Sequence, residues 1–446
     1  MNSRHRQTLF GEVIEESGQT VVPRRAELDQ DPRLRRPDRT QVLLRPCSLE
    51  ELLEADHPAR VVWEVVGRWN LDKFLSVVKA RGEVPGRAAT DPRLLISLWL
   101  YAYTQGIGGG RELARLCDSH DAYRWLCGGV RLNYHTLNDF RVDHGAALDD
   151  LLTQMIAALI SQDLVKVTRI SQDGTRVRAG AGRGSFKKRE SLEHHLSQAR
   201  THVQALKQQA DDPKVSAQRK KAAQRAARQR VERIEKAMEE LAKVEAAKAA
   251  QKEKPSKHQP AKASTTDPEA RQMRMPGGGT APGYNVQFAT VPQGRAIVGV
   301  DVTNAGSDVA ESGPMRQQVQ RRTGQQVAEH LVDGGYVGLD QIEMAGNQGV
   351  VMYAPLPKSK NPEIDPHQPK KTDGPHVGNW RVRMGTTEAK AIYKERAATS
   401  ETANAECKAY RGLGPMLVRG LAKVRCVALW SALAYNLIHF GLNLLA

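Results

Sequence analysis

Three acidic residues stand where oxygen-ligand metal chemistry is readily built. Asp173 lies in RISQDGTRVRA, at the expected end of one strand and the start of a Gly-containing turn. Asp333 lies in HLVDGGYVG, at the C-terminal end of an apolar run and before two glycines. Glu401 lies in YKERAATSETANAECK, a charged helical stretch beyond the last expected strand. Ligands of open α/β sheets gather at strand ends of this kind. Carboxylates suit Mg²⁺ or Mn²⁺ and leave coordination positions for water and phosphate oxygens. Two such ions, about 3.5–4 Å apart, activate the attacking oxygen and stabilise the leaving one in phosphodiester cleavage. Each acid also has a plainer reading, because Asp before Gly forms turns and a Glu on a charged helix is solvated. Glu395 and Glu406 compete with Glu401 for the third position.

The elements that must bring these acids together begin near residue 165. VKVTRISQD and TRVRAG alternate like strands, as do YNVQFATV (284–291) and AIVGVDVT (296–303). AEHLVD (328–333) and GVVMYAP (349–355) read as buried strands with helical stretches between and after them, giving an α/β region. A segment of another character interrupts it. Leu192, Leu196, Ala199, Val203, Leu206 and Ala210 follow a heptad seam, Asp211-Asp212-Pro213 breaks it, and Val231, Ile234, Met238 and Leu241 resume it. This predicts an antiparallel helical hairpin, with KEKPSKHQPAKAS (252–264) as a flexible linker back. Residues 187–262 hold 20 Lys plus Arg against 10 Asp plus Glu. That charge marks a solvated coiled-coil surface, a paddle along DNA or a contact with a second copy.

Upstream, residues 46–160 read as all-helical, with patterns at 58–80, 91–104, 110–118 and 136–160. Ser48 and Glu51 form a capping box, and Thr136 is placed to cap the helix of HTLNDFR. LLISLWLYAY (94–103) is apolar on nearly all sides and should be a central buried helix. GIGGG (106–110) is a break and not a nucleotide loop, since no strand precedes it and no GK[ST] follows. Residues 1–45, rich in Pro, Arg and Asp, read as an extended arm.

Composition narrows the class. The 446 residues are 40% hydrophobic, enough for real cores and against wholesale disorder. Lys plus Arg number 66 against 50 Asp plus Glu, a net +16 that favours a polyanionic partner, nucleic acid or an acidic membrane surface. Five cysteines without CxxC spacing suggest reduced thiols rather than a disulfide framework. The opening MNSRHRQTLFGEV lacks the apolar core of a secretory signal. Residues 426–446 carry no Lys, Arg, Asp or Glu and are long enough to span a bilayer. Ser431, Tyr435, Asn436, His439 and Asn443 form a polar stripe there, so the segment reads as a helix buried against a protein core, without a membrane partner.

At the three acids the sequence resembles DDE transposases of bacterial insertion sequences, the lineage with a helical N-terminal domain and an RNase H-like catalytic domain. The likeness runs from about residue 46 to 446. DGTRVRAGAGRGSFKKR, DPEARQM followed by GYNVQ, and VDGGY are similar to the family's blocks in the same order. Tyr393, Arg396, Glu401 and Lys408 fill its Tyr, Arg, Glu and Lys signature, followed by RGLAKVR (419–425) and LAYNL (433–437). One departure stands out. The signature has three residues between Arg and Glu, whereas four separate Arg396 from Glu401; the six between Glu401 and Lys408 fit.

The resemblance implies an α/β RNase H-like catalytic domain (161–446) carrying an inserted basic hairpin and linker (187–275), preceded by an all-α DNA-binding domain (46–160). It implies that Asp173, Asp333 and Glu401 bind two Mg²⁺ or Mn²⁺ ions. Lys408 and Arg396 would contact DNA phosphates or orient their helix, the alternative for Lys408 being an ion pair with Glu406. Tyr393 would position a DNA end or fill the core. Asp301 is assigned to strand-edge solvation and Asp308 to a helix cap. The partner would be double-stranded DNA, both transposon ends and target, and hydrolysis at the end followed by strand transfer would use one site. Terminal inverted repeats would be read by the helical domain, with Arg111, Arg115, Arg124, Arg131, His135 and Arg141 as candidate contacts. Synapsis of two ends calls for a homodimer or larger assembly in the bacterial cytoplasm, at the nucleoid. The alternatives are a transposase-derived DNA-binding protein without activity and a structure-selective nuclease of the same fold.

Overall fold

In the computed structural model the residues described are 40, 48–82, 88–208, 216–250, 260–357, 363 and 365–446, with the backbone of 6–7, 13–14 and 20–21. The chain forms two compact units, Met1–Ser48 and Leu49–Ala446. In the first, strands β1 (Arg6–Gln7), β2 (Val13–Ile14) and β3 (Thr20–Val21) pair antiparallel in that order. Apart from Thr40, the rest of the expected arm, and Cys47, lie outside the described residues.

The second unit opens on helices. The Ser48–Glu51 box starts only a 3₁₀ turn, Glu50–Leu52, whose N-cap is Leu49. Helix α1 (Pro58–Gly67) is capped by His57 and followed by the single turn α2 (Asp72–Leu75), so the pattern at 58–80 is two elements. Asp91 caps α3 (Pro92–Thr104), and 11 of its 13 residues are buried, as its all-round apolarity predicts. α4 (Gly110–Ser119) and α5 (Asp121–Cys127) follow the glycine break. The stretch 136–160 divides at His144 into α6 (Tyr134–Asp143) and α7 (Gly145–Ser161). Asn133, not Thr136, caps α6, accepting from the Thr136 amide at 2.9 Å.

The central sheet holds β4 (Arg169–Arg178), β7 (Arg271–Arg274), β8 (Thr280–Thr290), β9 (Ile297–Thr303), β10 (Glu329–Leu331) and β11 (Val351–Tyr353). Its order is β11-β10-β4-β8, with β7 and β9 both paired to the far side of β8. β8 runs antiparallel to β4 and β9 antiparallel to β8, whereas β10 is parallel to both β4 and β11. Helix α10 (Ser312–Thr323) links β9 to β10, and α11 (Leu339–Asn347) links β10 to β11. After β11 come α12 (Pro375–Gly385), α13 (Thr387–Arg396), a π turn (Ala397–Glu401), α14 (Thr402–Tyr410) and α15 (Leu421–Phe440).

The insertion leaves and rejoins at one root, where β5 (Phe186–Lys187) pairs with β6 (Ala263–Ser264). Between them stand α8 (Arg189–Gln208) and α9 (Ala217–Ala250), whose ion pairs Arg189–Glu245 and Arg200–Glu235 fix an antiparallel hairpin. Leu192, Ala199, Ile234 and Leu241 form its own small core, as the heptad seam predicts. The Asp211-Asp212-Pro213 break and most of the linker lie outside the described residues. β7, placed by the sequence reading inside the insertion, already belongs to the sheet.

One apolar core runs through α1, α3, α7, β4, β8, β9 and α15, so the helical region and the sheet share an interior. α15 is the one helix among the described residues long and apolar enough to cross a membrane, and it is largely buried inside this core. Its polar stripe is used there: Asn436 accepts from the Ile297 amide at 2.8 Å and donates to the Ile297 carbonyl at 2.9 Å. A second core packs α11, α12 and α13 on β10 and β11 around Trp380. Cys117, Cys127, Cys407 and Cys426 are buried free thiols.

Candidate active site

Asp173 sits in the middle of β4 and not at its end, opposite Phe288 of β8. The glycine after it makes no turn. A Cβ on Gly174 would lie 2.6 Å from Gln287 Nε2 and 2.8 Å from Asn285 Oδ1, so the strand needs glycine for close packing. Leu331 of β10 pairs in parallel register with Ser171 of β4, and Asp333 and Asp173 each follow two residues later. Neighbouring strands lie about 4.8 Å apart, so the two acids leave the sheet side by side. Asp333 caps the 3₁₀ turn Gly334–Tyr336, its Oδ1 accepting from the Gly335 amide at 2.7 Å.

The third acid arrives through the π turn. One extra residue stands between Arg396 and Glu401, and the helix widens there by one residue per turn, so that the two side chains still meet. Arg396 Nη2 lies 2.5 Å from Glu401 Oε1, and its Nη1 lies 3.7 Å from Asp173 Oδ1. Such bulges absorb single insertions and are frequent at functional sites. The carbonyls loosened by the widening find local donors: Thr399 Oγ1 donates to the Glu395 carbonyl at 2.5 Å and Ser400 Oγ to that of Arg396 at 3.1 Å. From the next turns, Asn404 donates to Asp173 Oδ2 at 2.9 Å, and half-buried Lys408 faces the same carboxylate.

Burial pushes Asp173 up to about 6, offset by Arg396 and the Asn404 hydrogen bond and raised further by the charges of Asp333 and Glu401. Burial opposes the charge of Arg396, but Tyr393 and the three acids hold its pKa above the usual value. Burial lowers Lys408, against the pull of Asp173. The three acids therefore share one electrostatic neighbourhood, with Arg396 as its cation. Among the described residues no three His, Cys, Asp or Glu side chains stand close enough to hold an ion as they are. The donor chemistry nonetheless fits a hard divalent cation: carboxylate oxygens, no sulfur or imidazole, and a buried Asn404 Oδ1 with no hydrogen-bond partner.

The rival glutamates are engaged elsewhere. Glu395 pairs with Arg169 at 2.8 Å, and Glu406 pairs with Arg411 at 2.9 Å and His439 at 3.0 Å rather than with Lys408, the alternative considered for it. Tyr393 packs against the second core, 5.9 Å from the Arg396 guanidinium. Arg141 is 4% exposed, donates to the Gly108 carbonyl and lies over Trp99, while also lining the groove of Arg111. Arg115 and Arg124 are exposed but paired, with Glu112 and Asp121. Arg131 and His135 are exposed. Arg111 is exposed over Tyr134 and lines a groove with Asn138, Arg419 and Lys423.

Sequence reasoning missed the polar layer under the acids. Asp308 caps no helix; α10 begins at Ser312 behind Glu311. Its Oδ1 accepts from the Asn285 amide and from Gln287 Nε2 at 2.7 Å. Gln287 Oε1 in turn accepts from Gln172 at 2.9 Å and from the Tyr336 hydroxyl. The signal was present in GYNVQ, where two amides occupy alternate positions of a strand buried from Pro282 onward. Asp301 remains solvated, its side chain 41% exposed, with Arg425 3.7 Å away. In DPEARQM, Asp267 accepts from Tyr284 at 2.6 Å and from the Gly420 amide at 3.1 Å, and Glu269 accepts from the Leu421 amide at 3.1 Å. This block therefore caps α15, placing acids at its N-terminus.

Two protein-family models match the chain. A transposase domain (DUF772) matches residues 47–143, which span α1 to α6. A transposase DDE domain matches residues 370–440, which include Tyr393, Arg396, Glu401 and Lys408 but neither Asp173 nor Asp333. No curated protein and no solved structure matches it. Transposase domain models thus match on either side of the central sheet, which supports a DDE-type transposase of an insertion sequence.

Proposed function

We propose that this transposase binds the terminal inverted repeats of its element and catalyses metal-dependent cleavage and strand transfer. The observation that carries the reading is the meeting of Asp173, Asp333 and Glu401 in one charge neighbourhood, from two adjacent strands and a helix 228 residues beyond the first acid. The sheet supports an RNase H-like catalytic core: an antiparallel meander β4-β8-β9 followed by two strands parallel to β4 on its other side. Asp173, Asp333 and Glu401 would hold two Mg²⁺ or Mn²⁺ ions. When bound, these supply an activated attacking oxygen and charge stabilisation at the phosphorus.

The chain's own residues do the rest. Asn404 orients the Asp173 carboxylate, and the Gly335 amide orients that of Asp333. Arg396 balances Asp173 and Glu401, and Arg396 and Lys408 would contact DNA phosphates. Tyr393 backs Arg396. Arg111, Arg419 and Lys423 line one groove suited to the backbone of a transposon end, joining the helical region to the loop before α15. Synapsis requires at least two copies, acting on the bacterial nucleoid in the cytoplasm.

A strand-transfer assay on cognate ends with Mg²⁺, comparing wild type with Asp173→Asn, tests the reading. Loss of joining with retained end binding is the expected result. Joining at the wild-type rate removes Asp173 from the mechanism. A wild type that binds ends without joining them indicates a DNA-binding protein without activity.

A further inference from the structure

The inserted hairpin carries its charge unevenly along its length. The half of α9 next to the root (234–250) holds three cations and four acids, the distal half (217–233) seven cations and one acid, Glu232. Root charges are matched: Arg271 of the body bonds Glu240, Lys236 lies 3.2 Å from Glu269 of the body, and Lys243 lies 2.6 Å from Glu240 of its own helix. In the distal half, Arg219, Lys221, Arg225, Arg228, Arg230 and Arg233 have no acidic partner among the described residues. All but Arg233 are exposed.

We propose that this distal half of α9 is a second DNA contact, separate from the catalytic site, that grips the phosphate backbone without reading sequence. The proposal rests on the transposase reading for its choice of polyanion. Lys221, Arg225 and Arg228 stand at i, i+4 and i+7, one stripe about 10 Å long on a single helix face. Like charges at this spacing destabilise a helix by roughly 0.2–0.5 kcal/mol per pair, and the one acid beside the stripe, Glu232 at i+4 from Arg228, forms no ion pair with it among the described residues. Ala222, Ala223, Ala226 and Ala227 keep the segment helical by propensity. The stripe also flanks the seam side chains Ala227, Val231 and Ile234, which face the hairpin's interior, so these cations are free of packing duties. A row of cations on an antiparallel hairpin that joins the body at its root matches a duplex, which carries one negative charge per about 1.7 Å of its axis. Base-edge readout needs side chains that pair with donors and acceptors in a groove; three cations on one line suit phosphates.

The test is the salt dependence of duplex binding by the full chain, followed by fluorescence anisotropy. The variant replaces Lys221, Arg225 and Arg228 by Gln, all on the exposed face, so folding is retained and circular dichroism checks it. Each phosphate contact contributes about 0.9 to the slope of log affinity against log salt. The variant's slope should be shallower by roughly 2–3, with equal weakening on end-bearing and random duplexes. Arg200→Gln, which breaks the pair with Glu235, should leave the slope unchanged. A wild-type slope and affinity in the triple variant overturn the inference while leaving the transposase reading intact. A wild type with no affinity for any duplex overturns both.

Discussion

The hydroxyls of Ser171 and Ser400 meet at 2.8 Å in the buried interior. Ser171 lies two residues before Asp173 on β4, and Ser400 immediately precedes Glu401 in the π turn. This one contact therefore ties the strand bearing the first acid to the turn bearing the third. Ser400 also serves the loosened Arg396 carbonyl at 3.1 Å. Ser400→Ala leaves the Ser171 hydroxyl and that carbonyl without their partner, at a cost of about 1–3 kcal/mol for buried polar groups. The variant should unfold at lower denaturant concentration and join ends more slowly. Ser400→Thr should recover most of the rate. Wild-type stability and rate in Ser400→Ala would show that the turn holds its shape unaided.

The three glutamates of this helical stretch should separate cleanly. Glu401→Gln should abolish strand transfer while leaving end binding, because Glu401 alone of the three faces Arg396 and Asp173. Glu395→Gln removes one of the two acids on Arg169, which keeps Glu329 at 2.5 Å, so joining should persist. Glu406→Gln weakens the link to Arg411 and His439 and should lower the melting temperature by a few degrees without ending catalysis. Persistent joining by Glu401→Gln together with loss in Glu395→Gln would move the third acid to Glu395.

Much of this arrangement was legible in the chain, for identifiable reasons. Strand periodicity exposed the sheet, and the heptad seam of Leu192 to Leu241 exposed the hairpin, because both patterns record a buried face directly. Asp333 was legible because its strand ends where the apolar run ends. Asp173 was misplaced at a turn, since the Asp-Gly pair follows local turn chemistry whereas tertiary packing by Gln287 and Asn285 decided the backbone. The π turn was visible only as a spacing mismatch, because helix widening has no composition of its own. Arg141 read as a surface cation because sequence gives charge but not enclosure. Asp308 was assigned locally, and its partners come from another strand.

Asp173 should make stability depend on pH in a direction opposite to ordinary acid denaturation. Its folded pKa is raised to about 6 by burial, against about 3.9 for an unfolded Asp. Between those values the native state binds more protons than the unfolded state. Stability from this group is therefore lost as pH rises from about 4 to about 6 and stays reduced above, by up to about 3 kcal/mol. Asp173→Asn should accordingly melt higher than wild type in EDTA at pH 7.5, with the difference vanishing near pH 4. Mn²⁺ should raise the wild-type melting temperature and leave that of Asp173→Asn nearly unmoved. Equal melting of the two proteins at both pH values would remove the buried charge from the account.

Asp308 supports the floor of the site through acceptors rather than charge. Asn285 and Gln287 are each 1% exposed, and both donate to Asp308 Oδ1. Removing the acceptor strands two buried amides, each costing about 1–3 kcal/mol when left unpaired. Asp308→Ala should therefore be destabilised by about 2–4 kcal/mol in denaturant titrations. Asp308→Asn keeps an acceptor oxygen in the same place and should lose less than half as much. Because Gln287 also receives the Tyr336 hydroxyl, next to the turn that Asp333 caps, the Ala variant should weaken Mn²⁺ binding as well. Equal destabilisation by Ala and Asn would mean that the negative charge, and not the hydrogen-bond acceptor, is what this layer requires.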